Sequence, residues 1–364
     1  RRPPRSTLFP YTALFRSAAS LSADPGRGAV VVPGRLFTLF GQALAETAEA
    51  AQQTPLPTTL GGVTVTVDGI PAPLLNVSPS QINLQIPFAI AAPSVPIVVT
   101  TAKGASEPIV ARRAHDAPGI FTREAAGCGH GAILNVALDG STSVNSPSQS
   151  AAPGGYIAVF GTGFGPVSLH QPSDGWPAAS DNLSRLQLTS VAFFGHGGAP
   201  SPVLSLFAGL APGLVGVDQV NVRLPWDVPQ GCAVPLWISG SSVDTQPVMV
   251  SIRQGGGPCV EAPPARIGQL TWTRTIVTRP GEPAGSERES FSAVFREGAE
   301  NWLRAAPSPE AGQWRSFGTK NPAPRCGLYA GANVDAGALT IRTPATDALV
   351  VRPTRSGTGE FLYE

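Results

Sequence analysis

Few side chains in this sequence could do catalytic or metal chemistry, and their spacing fits no known arrangement of either kind. Gly161–Gly165 lacks the GxGxxG spacing of a dinucleotide loop, and Pro166 follows it where a phosphate-binding helix would have to begin. No GxSxG nucleophile elbow occurs. The histidines show neither an i, i+4 pair nor a Cys/His pair of zinc-site spacing: His115, His130, His170 and His196. We therefore expect no enzyme activity, no cofactor and no metal ion.

Two of the four cysteines are placed so that they could form a disulfide. Cys232 begins an apolar strand, and Cys259 lies just beyond the strand that returns along it. Hairpin pairing puts Cys232 opposite a position near Ser251, and the flexible Gly255–Pro258 could fold Cys259 back to disulfide distance. We predict this bridge and an oxidising compartment; two free cysteines are the alternative. The pairing of the remaining two stays open: Cys128 and Cys326.

Tryptophans are the other candidate binding residues. Trp176 and Trp226 lie in segments rich in Pro, Gly and Asp that we interpret as loops. A loop tryptophan can stack on a sugar ring, because the indole offers a flat apolar face with a polar edge. The alternative is that each covers one end of its own core. Trp237 lies within an inferred strand, and we expect it in the core.

The composition indicates a β-rich protein. The chain of 364 residues contains 41 Gly and 38 Pro, yet its hydrophobic fraction is 42%, so many short apolar strands separated by turns are expected rather than disorder. Charged residues are only 13% and the net charge is +1, which provides no field to attract nucleic acid or an anionic membrane. No apolar run approaches the length of about 20 residues that a membrane span needs. One segment, Ala43–Gln53, favours a short surface helix by propensity.

Two copies of one pattern organise most of the chain. Pro33–Gly41 (PGRLFTLFG) matches the start of Pro153–Val167 (PGGYIAVFGTGFGPV), and Gln81–Pro87 matches Gln219–Pro225. Apolar and polar residues alternate in Gln81–Pro87 and in Gln219–Pro225, as in a strand with one buried face. We predict equivalent core positions for these pairs: Phe40 with Phe160, Ile82 with Val220 and Leu84 with Val222.

Spacing supports the match. Pro96 to Pro108 and Pro235 to Pro247 are both 12 positions. Gly41 to Gln81 is 40 positions and Gly161 to Gln219 is 58, so the second copy carries an insertion of 18 residues somewhere between Val167 and Val217. Equal spacing within strands and unequal spacing in loops is what loop tolerance predicts.

The ends of the chain do not follow this pattern. Residues 1–17 resemble translated sequencing-adapter read-through, and we expect them to contact nothing, with the natural N-terminus and the C-terminal end both missing. The resulting predicted division is a disordered or artefactual segment, a first sandwich, a β-hairpin connector, a second sandwich, a Gly/Pro linker and a β-rich C-terminal region: 1–28, 29–116, 117–152, 153–254, 255–264 and 265–364.

The motifs together resemble known families. PGGYIAVFGTGFGPV, DQVNVRLP and VPLWISG look like IPT/TIG domains, which are immunoglobulin-like. More narrowly, LGGVTVTVDGIPAPLLNVSPSQINLQIP, APGIF and LAPGLVGVDQVNVRLP resemble an uncharacterised repeat of Solibacter-type acidobacterial secreted proteins, over about Gly34–Arg253. The resemblance implies an all-β fold of tandem extracellular β-sandwiches and no catalytic residues.

Two functions follow as expectations. The first is a non-catalytic structural or adhesive array of a secreted or cell-surface protein. The alternative is a carbohydrate-binding module that accompanies an enzyme absent from this sequence. The expected partner is a protein or a polysaccharide at the cell surface. Coplanar exposed aromatic residues would favour the carbohydrate-binding module, and buried tryptophans would favour the structural array.

Overall fold

The structure, a computed structural model, describes residues 14–19, 29–123, 125, 127, 129–187, 191–194, 202–241 and 243–260, and from residue 265 onward only the backbone of strands. Every regular element in these residues is a β-strand, which confirms the all-β class. Both sandwiches described below lie in one compact unit, and the strands from residue 265 belong to a second. No helix long and apolar enough to cross a membrane occurs in this described part.

The first sandwich consists of two sheets around one core. Its strands are β1 Leu14–Ser17, β2 Val30–Val31, β3 Leu36–Phe40, β4 Glu49–Ala50, β5 Thr59–Leu60, β6 Val63–Val67, β7 Ile70–Pro71, β8 Leu74–Val77, β9 Gln81–Gln85, β10 Ser94–Thr101, β11 Gly104–Ala105 and β12 Ile109–Arg113. One sheet has the order β1-β3-β9-β8-β4 and the other β2-β12-β10-β6-β5. Alternate residues of each strand point inward, so β6 buries Val63, Val65 and Val67 and exposes its threonines in part.

The second sandwich also consists of two sheets, around its own core. Its strands are β13 Gly119–Ile120, β14 Ile133–Val136, β15 Thr142–Val144, β16 Tyr156–Thr162, β17 Val167–Leu169, β18 Arg185–Leu186, β19 Val191–Phe194, β20 Val203–Leu204, β21 Phe207–Leu210, β22 Asp218–Arg223, β23 Gly231–Ser239 and β24 Val248–Ile252. One sheet has the order β15-β14-β16-β22-β21-β18-β17 and the other β20-β19-β23-β24. The inward residues of β16, β22, β23 and β24 form the centre of the core.

The strand registers of the two sandwiches agree. Phe40 pairs with Gln81 in the first, and Phe160 pairs with Gln219 in the second. Pro96 pairs with Val110, and its counterpart Pro235 pairs with Met249. The four residues expected to be buried on these strands are buried: Ile82, Leu84, Val220 and Val222.

Three positions differ from the sequence-based expectation. Phe40 and Phe160 are equivalent, but both are half-buried and lie outside the two cores, because the alternation turns their neighbours Leu39 and Val159 inward. Trp237 is likewise half-buried on the outer face, where it stacks on Phe193 with ring centroids 5.5 Å apart. The prediction that Trp237 lies in the core is therefore wrong.

The segment expected to form a helix also differs. Within Ala43–Gln53 the chain contains bends and the strand β4, which pairs with β8. Leu44 and Ala45 are buried in the first core. Tertiary packing of these two side chains overrides a helix propensity that no apolar stripe supported.

The N-terminal segment Leu14–Ser17 and the connector between the sandwiches both contribute strands to the sheets. Leu14–Ser17 pairs with β3, so the expectation that residues 1–17 contact nothing is wrong for these four residues. An unpaired edge of β3 would expose N–H and C=O groups, and an extended segment satisfies them. The equivalent place in the second sandwich is taken by β14 of the connector, which pairs with both β15 and β16.

The second unit is also built of strands. They are β25 Ala265–Val277, β26 Ser286–Gly298, β27 Ala332–Asn333, β28 Leu339–Thr343, β29 Thr346–Val351, β30 Thr354–Arg355 and β31 Phe361–Leu362. A hairpin of β25 and β26 pairs thirteen residues with thirteen, from Ala265 opposite Gly298 to Val277 opposite Ser286. The expectation of a β-rich C-terminal region agrees with these strands.

Candidate functional site

A buried ion pair joins the two sandwiches. Arg35 lies in the turn that leads into β3 of the first sandwich, and Asp218 begins β22 of the second. Arg35 Nε is 3.2 Å from Asp218 Oδ2, and the two side chains are only 2% and 0% exposed. Because a charge buried without a partner is very costly, this pair ties the position of each sandwich to the other.

Hydrogen bonds around the ion pair complete this interface. Thr162 Oγ1 accepts from the amide of Leu36 at 3.0 Å and donates to the carbonyl of Gly216 at 2.9 Å. Arg35 also donates through Nη2 to the carbonyl of Gly165. The glycine-studded turn after β16 therefore serves as a docking surface for the first sandwich, in agreement with the expectation of a turn rather than a nucleotide loop.

The inserted loop of the second sandwich adds a second set of contacts. Gly175 donates its amide to Gln85 Oε1 at 2.7 Å and accepts from the amide of Leu56 at 2.9 Å. Asp174 Oδ1 accepts from the amide of Phe88 at 2.9 Å. This loop thus contacts two separate segments of the first sandwich, at Leu56 and at 85–88. Its position in the sequence alone did not reveal this role.

Burial changes the protonation of both charged groups. It raises the pKa of Asp218 to about 6, although Arg35 and the amides of Phe164 and Gly163 act in the opposite direction. Burial also lowers the pKa of the Arg35 guanidinium, against the effect of Asp218. Arg35 Nη1 and Asp218 Oδ1 have no hydrogen-bond partner among the described residues. The ion pair therefore fixes the position of one sandwich relative to the other. Burial of its two charges costs free energy of desolvation, which the other contacts of the interface must offset.

The two candidate tryptophans are exposed and lie at opposite ends of the second sandwich. Trp176 is 51% exposed and follows Gly175 of the interface loop, whereas Trp226 is 72% exposed beside Gly154, before β16 begins. The seven residues of β16 separate these ends by about 23 Å at about 3.3 Å per residue. The structure therefore keeps Trp176 and Trp226 apart, and they do not form a single platform.

Trp226 belongs to a cluster that we call the distal end, formed by Gly154, Tyr156, Arg223 and Trp226. The indole rests on Gly154, where an added Cβ would stand 2.6 Å from the ring. Gly154 has a φ of +78°, which favours glycine independently. Arg223 Nε donates to the Gly154 carbonyl at 3.3 Å, and its guanidinium lies 5.8 Å from the centroid of the Tyr156 ring.

The predicted disulfide is present. Cys232 and Cys259 are bonded, with their Cα atoms 5.5 Å apart. The carbonyl of Cys232 accepts from Ser251 Oγ at 2.6 Å, at a bulge where the register of β23 and β24 shifts. The bridge fastens the chain where it leaves the second sandwich. The other two cysteines lie outside the described residues: Cys128 and Cys326.

Within the described residues, no group of three His, Cys, Asp or Glu side chains could hold a metal ion. Asp139 Oδ1 accepts from the amide and the hydroxyl of Ser141, which lowers the pKa of Asp139 and closes the β14–β15 turn. These contacts are those of a hairpin turn.

Sequence reasoning missed the interface pair. The positions that match Arg35 and Asp218 in the other copy are Gly155 and Ser80. The sequence did contain a signal: Arg35 and Asp218 are charged, whereas the matching residues Gly155 and Ser80 are small and uncharged. This difference separates the two sandwich ends that meet at the interface from the two ends that do not.

Comparison with known proteins gives only distant similarities. No family profile and no curated protein match the chain. The surface glycan-binding protein B of a Bacteroides ovatus mixed-linkage glucan utilization locus, solved with a mixed-linkage heptasaccharide, is 12% identical with a TM-score of 0.26, over 72% of this chain and 54% of that one. SGBP-B from a Bacteroides uniformis xyloglucan utilization locus is 14% identical with a TM-score of 0.22, over 75% and 63%. The chain thus spans less than two thirds of either protein.

A third similarity is to domains 4–9 of the surface layer protein SbsC, at 12% identity and a TM-score of 0.15, over 97% of this chain and 42% of that one. Similarities of this size define neither a family nor a ligand for this chain.

Proposed function

We propose that this chain is a non-catalytic, polysaccharide-binding part of a secreted or cell-surface protein. The observation that supports it most is the exposure of Trp226, 72%, at the end of a sandwich that holds the ring in place. Aromatic side chains buried over their own core would have favoured the purely structural role. A large exposed indole on a rigid support instead has the properties of a sugar-stacking residue.

One further feature fits an extracellular setting, and another argues against nucleic acid as the partner. The Cys232–Cys259 disulfide is the kind of bond that persists in oxidising compartments. The low fraction of charged residues, 13%, gives no electrostatic attraction for nucleic acid. Membership of the IPT/TIG-like repeat family of acidobacterial secreted proteins is part of the same proposal.

Native gel electrophoresis through soluble polysaccharides tests the proposal. The full chain should migrate more slowly in gels that contain at least one polysaccharide than in gels without it. Bovine serum albumin run alongside controls for viscosity. Unchanged relative mobility across neutral and acidic polysaccharides would contradict the function.

A structural or adhesive array is a second candidate, and a different observation favours it. The Arg35–Asp218 pair and the inserted loop lock two sandwiches together, which suits a module that holds a fixed length. This role is compatible with polysaccharide binding, since a rigid support also positions a binding end. Small-angle scattering tests it: one fixed particle dimension should describe the wild type at low and high salt.

A further inference from the structure

The two sandwiches present equivalent ends in different environments. Phe88 occupies in the first sandwich the place that Trp226 occupies in the second, since each follows the matched proline and covers the matched glycine, Gly34 or Gly154. Phe88 is half-buried and its amide donates to Asp174 of the second sandwich. The first end is therefore used by the interface, whereas the distal end is open with Trp226 72% exposed.

We infer that the distal end is a binding site for a neutral polysaccharide, with Trp226 stacking on a sugar ring and Arg223 donating hydrogen bonds to its hydroxyl groups. This inference rests on the proposed function and specifies its site and its ligand class. It differs from that function because it excludes Trp176 as the stacking residue and excludes acidic glycans as the preferred ligands.

The geometry of Trp226 provides the stacking surface. One face of the indole lies on the Gly154 backbone, which has no side chain and whose φ disfavours one. With 72% of the residue exposed, the face turned away from Gly154 is open to solvent. A ring supported on one face loses little freedom when a sugar covers the other, which reduces the entropic cost of binding.

Polar groups beside the indole supply the hydrogen bonds. Arg223 is exposed, but its Nε–H bond to Gly154 and its position over the Tyr156 ring hold the guanidinium in place. Its remaining N–H groups are donors for hydroxyl oxygens. Asp227, the residue after Trp226, is exposed and can accept from hydroxyl groups. Because Asp227, which adjoins the distal end, has a charge opposite to that of Arg223, this end of the sandwich has no excess positive charge to select an acidic chain.

Binding measurements on the full chain test this inference by isothermal titration calorimetry. The probes are hydroxyethylcellulose, galactomannan and dextran as neutral polysaccharides, with polygalacturonate as the acidic one. Trp226→Ala should weaken binding of the neutral ligand about tenfold or more, which corresponds to about 1.4 kcal/mol. Leu204→Ala, which removes a side chain that is 66% exposed on β20 of the other sheet of the same sandwich, is the matched control and should leave affinity unchanged.

A second variant separates the position of the ring from its presence. Gly154→Ala keeps the indole but must displace it, because the added Cβ would stand 2.6 Å from the ring. Binding should fall as in Trp226→Ala. Raising NaCl from about 0.05 to about 0.5 M should change wild-type affinity less than about twofold, because no net charge attracts the ligand.

The outcomes separate the inference from the proposed function. If Trp176→Ala abolishes binding and Trp226→Ala does not, the site is wrong while polysaccharide binding stands. If only polygalacturonate binds, with steep salt dependence, the ligand class is wrong. If no polysaccharide of the panel binds the wild type and native gels also show no retardation, the proposed function fails and this inference fails with it.

Discussion

Removing the carboxylate of Asp218 should destabilise the protein more than any substitution at an exposed position. Asp218→Ala leaves Arg35, which is 2% exposed, buried without its counter-charge. The guanidinium cannot escape by losing its proton at accessible pH, because its pKa in proteins is very high even when burial lowers it. The expected cost in free energy of unfolding is about 3–5 kcal/mol.

Replacement of the other member of the ion pair, Arg35, should cost an amount of stability that depends on pH. In Arg35→Met the carboxyl group of Asp218 stays buried, and the pKa of Asp218 rises above the value of about 6 that it has beside Arg35. A folded-state pKa above the ordinary 3.8 means that the folded protein binds the proton more tightly, so stability is greatest at low pH and is lost as pH rises through the folded-state value. Arg35→Met should therefore cost about 3–5 kcal/mol at about pH 8 and clearly less at about pH 5.

Urea unfolding followed by tryptophan fluorescence at both pH values measures these differences. The double variant Arg35→Met/Asp218→Ala should lose less stability than the two single losses added together, since neither charge remains buried alone. Lys103→Met is the control: it removes the exposed contact with Glu46 at 3.9 Å and should change stability by about 0.5 kcal/mol or less. A cost of less than about 1 kcal/mol for Asp218→Ala at about pH 8 would refute a buried interface centred on this pair.

Three further predictions concern stability. Cys232→Ser breaks a bridge that closes a sequence separation of 27 and should cost about 3–4 kcal/mol, measured by urea unfolding against the oxidised wild type with the reduced wild type as the control; equal stability of the oxidised wild type and the variant would contradict it. A chain that begins at Ala18 lacks β1 and should melt a few degrees lower by calorimetry, because β3 loses its edge partner, whereas an unchanged melting temperature would mean that β1 contributes nothing. Asn145→Ala removes a buried amide that bonds both the N–H and the C=O of Ser251, at 2.8 and 2.9 Å, and should cost about 2–4 kcal/mol; a loss below about 1 kcal/mol would show that water replaces it.

The sequence predicted the local features of the fold well. Alternation in Gln81–Gln85 fixed which side chains of β9 face the core, because the period of a strand is two and one face is buried. The same reasoning located Cys232 near Ser251, since a hairpin register follows from counting residues back from the turn. Trp237 was predicted in the core because it lies within a strand, but Leu236 and Ile238 on either side point inward, so Trp237 points outward.

The candidate site was less predictable. The exposure of Trp226 and its proximity to Arg223 depend on which end of the second sandwich is covered, which the sequence of one strand does not determine. The Arg35–Asp218 contact forms between residues far apart in the chain, and it requires the relative placement of two sandwiches. Periodicity reports the faces of strands, whereas such contacts arise from how the finished sandwiches meet.

Hydroxyl-radical footprinting with mass spectrometry tests the central claim most directly, because it reports side-chain exposure residue by residue. The full chain would be oxidised alone and with a saturating amount of the neutral polysaccharide that binds it best. We predict that oxidation of Trp226, 72% exposed in the free chain, falls severalfold while that of Trp176, 51% exposed, stays the same. Unchanged oxidation of Trp226 at saturation would contradict the account.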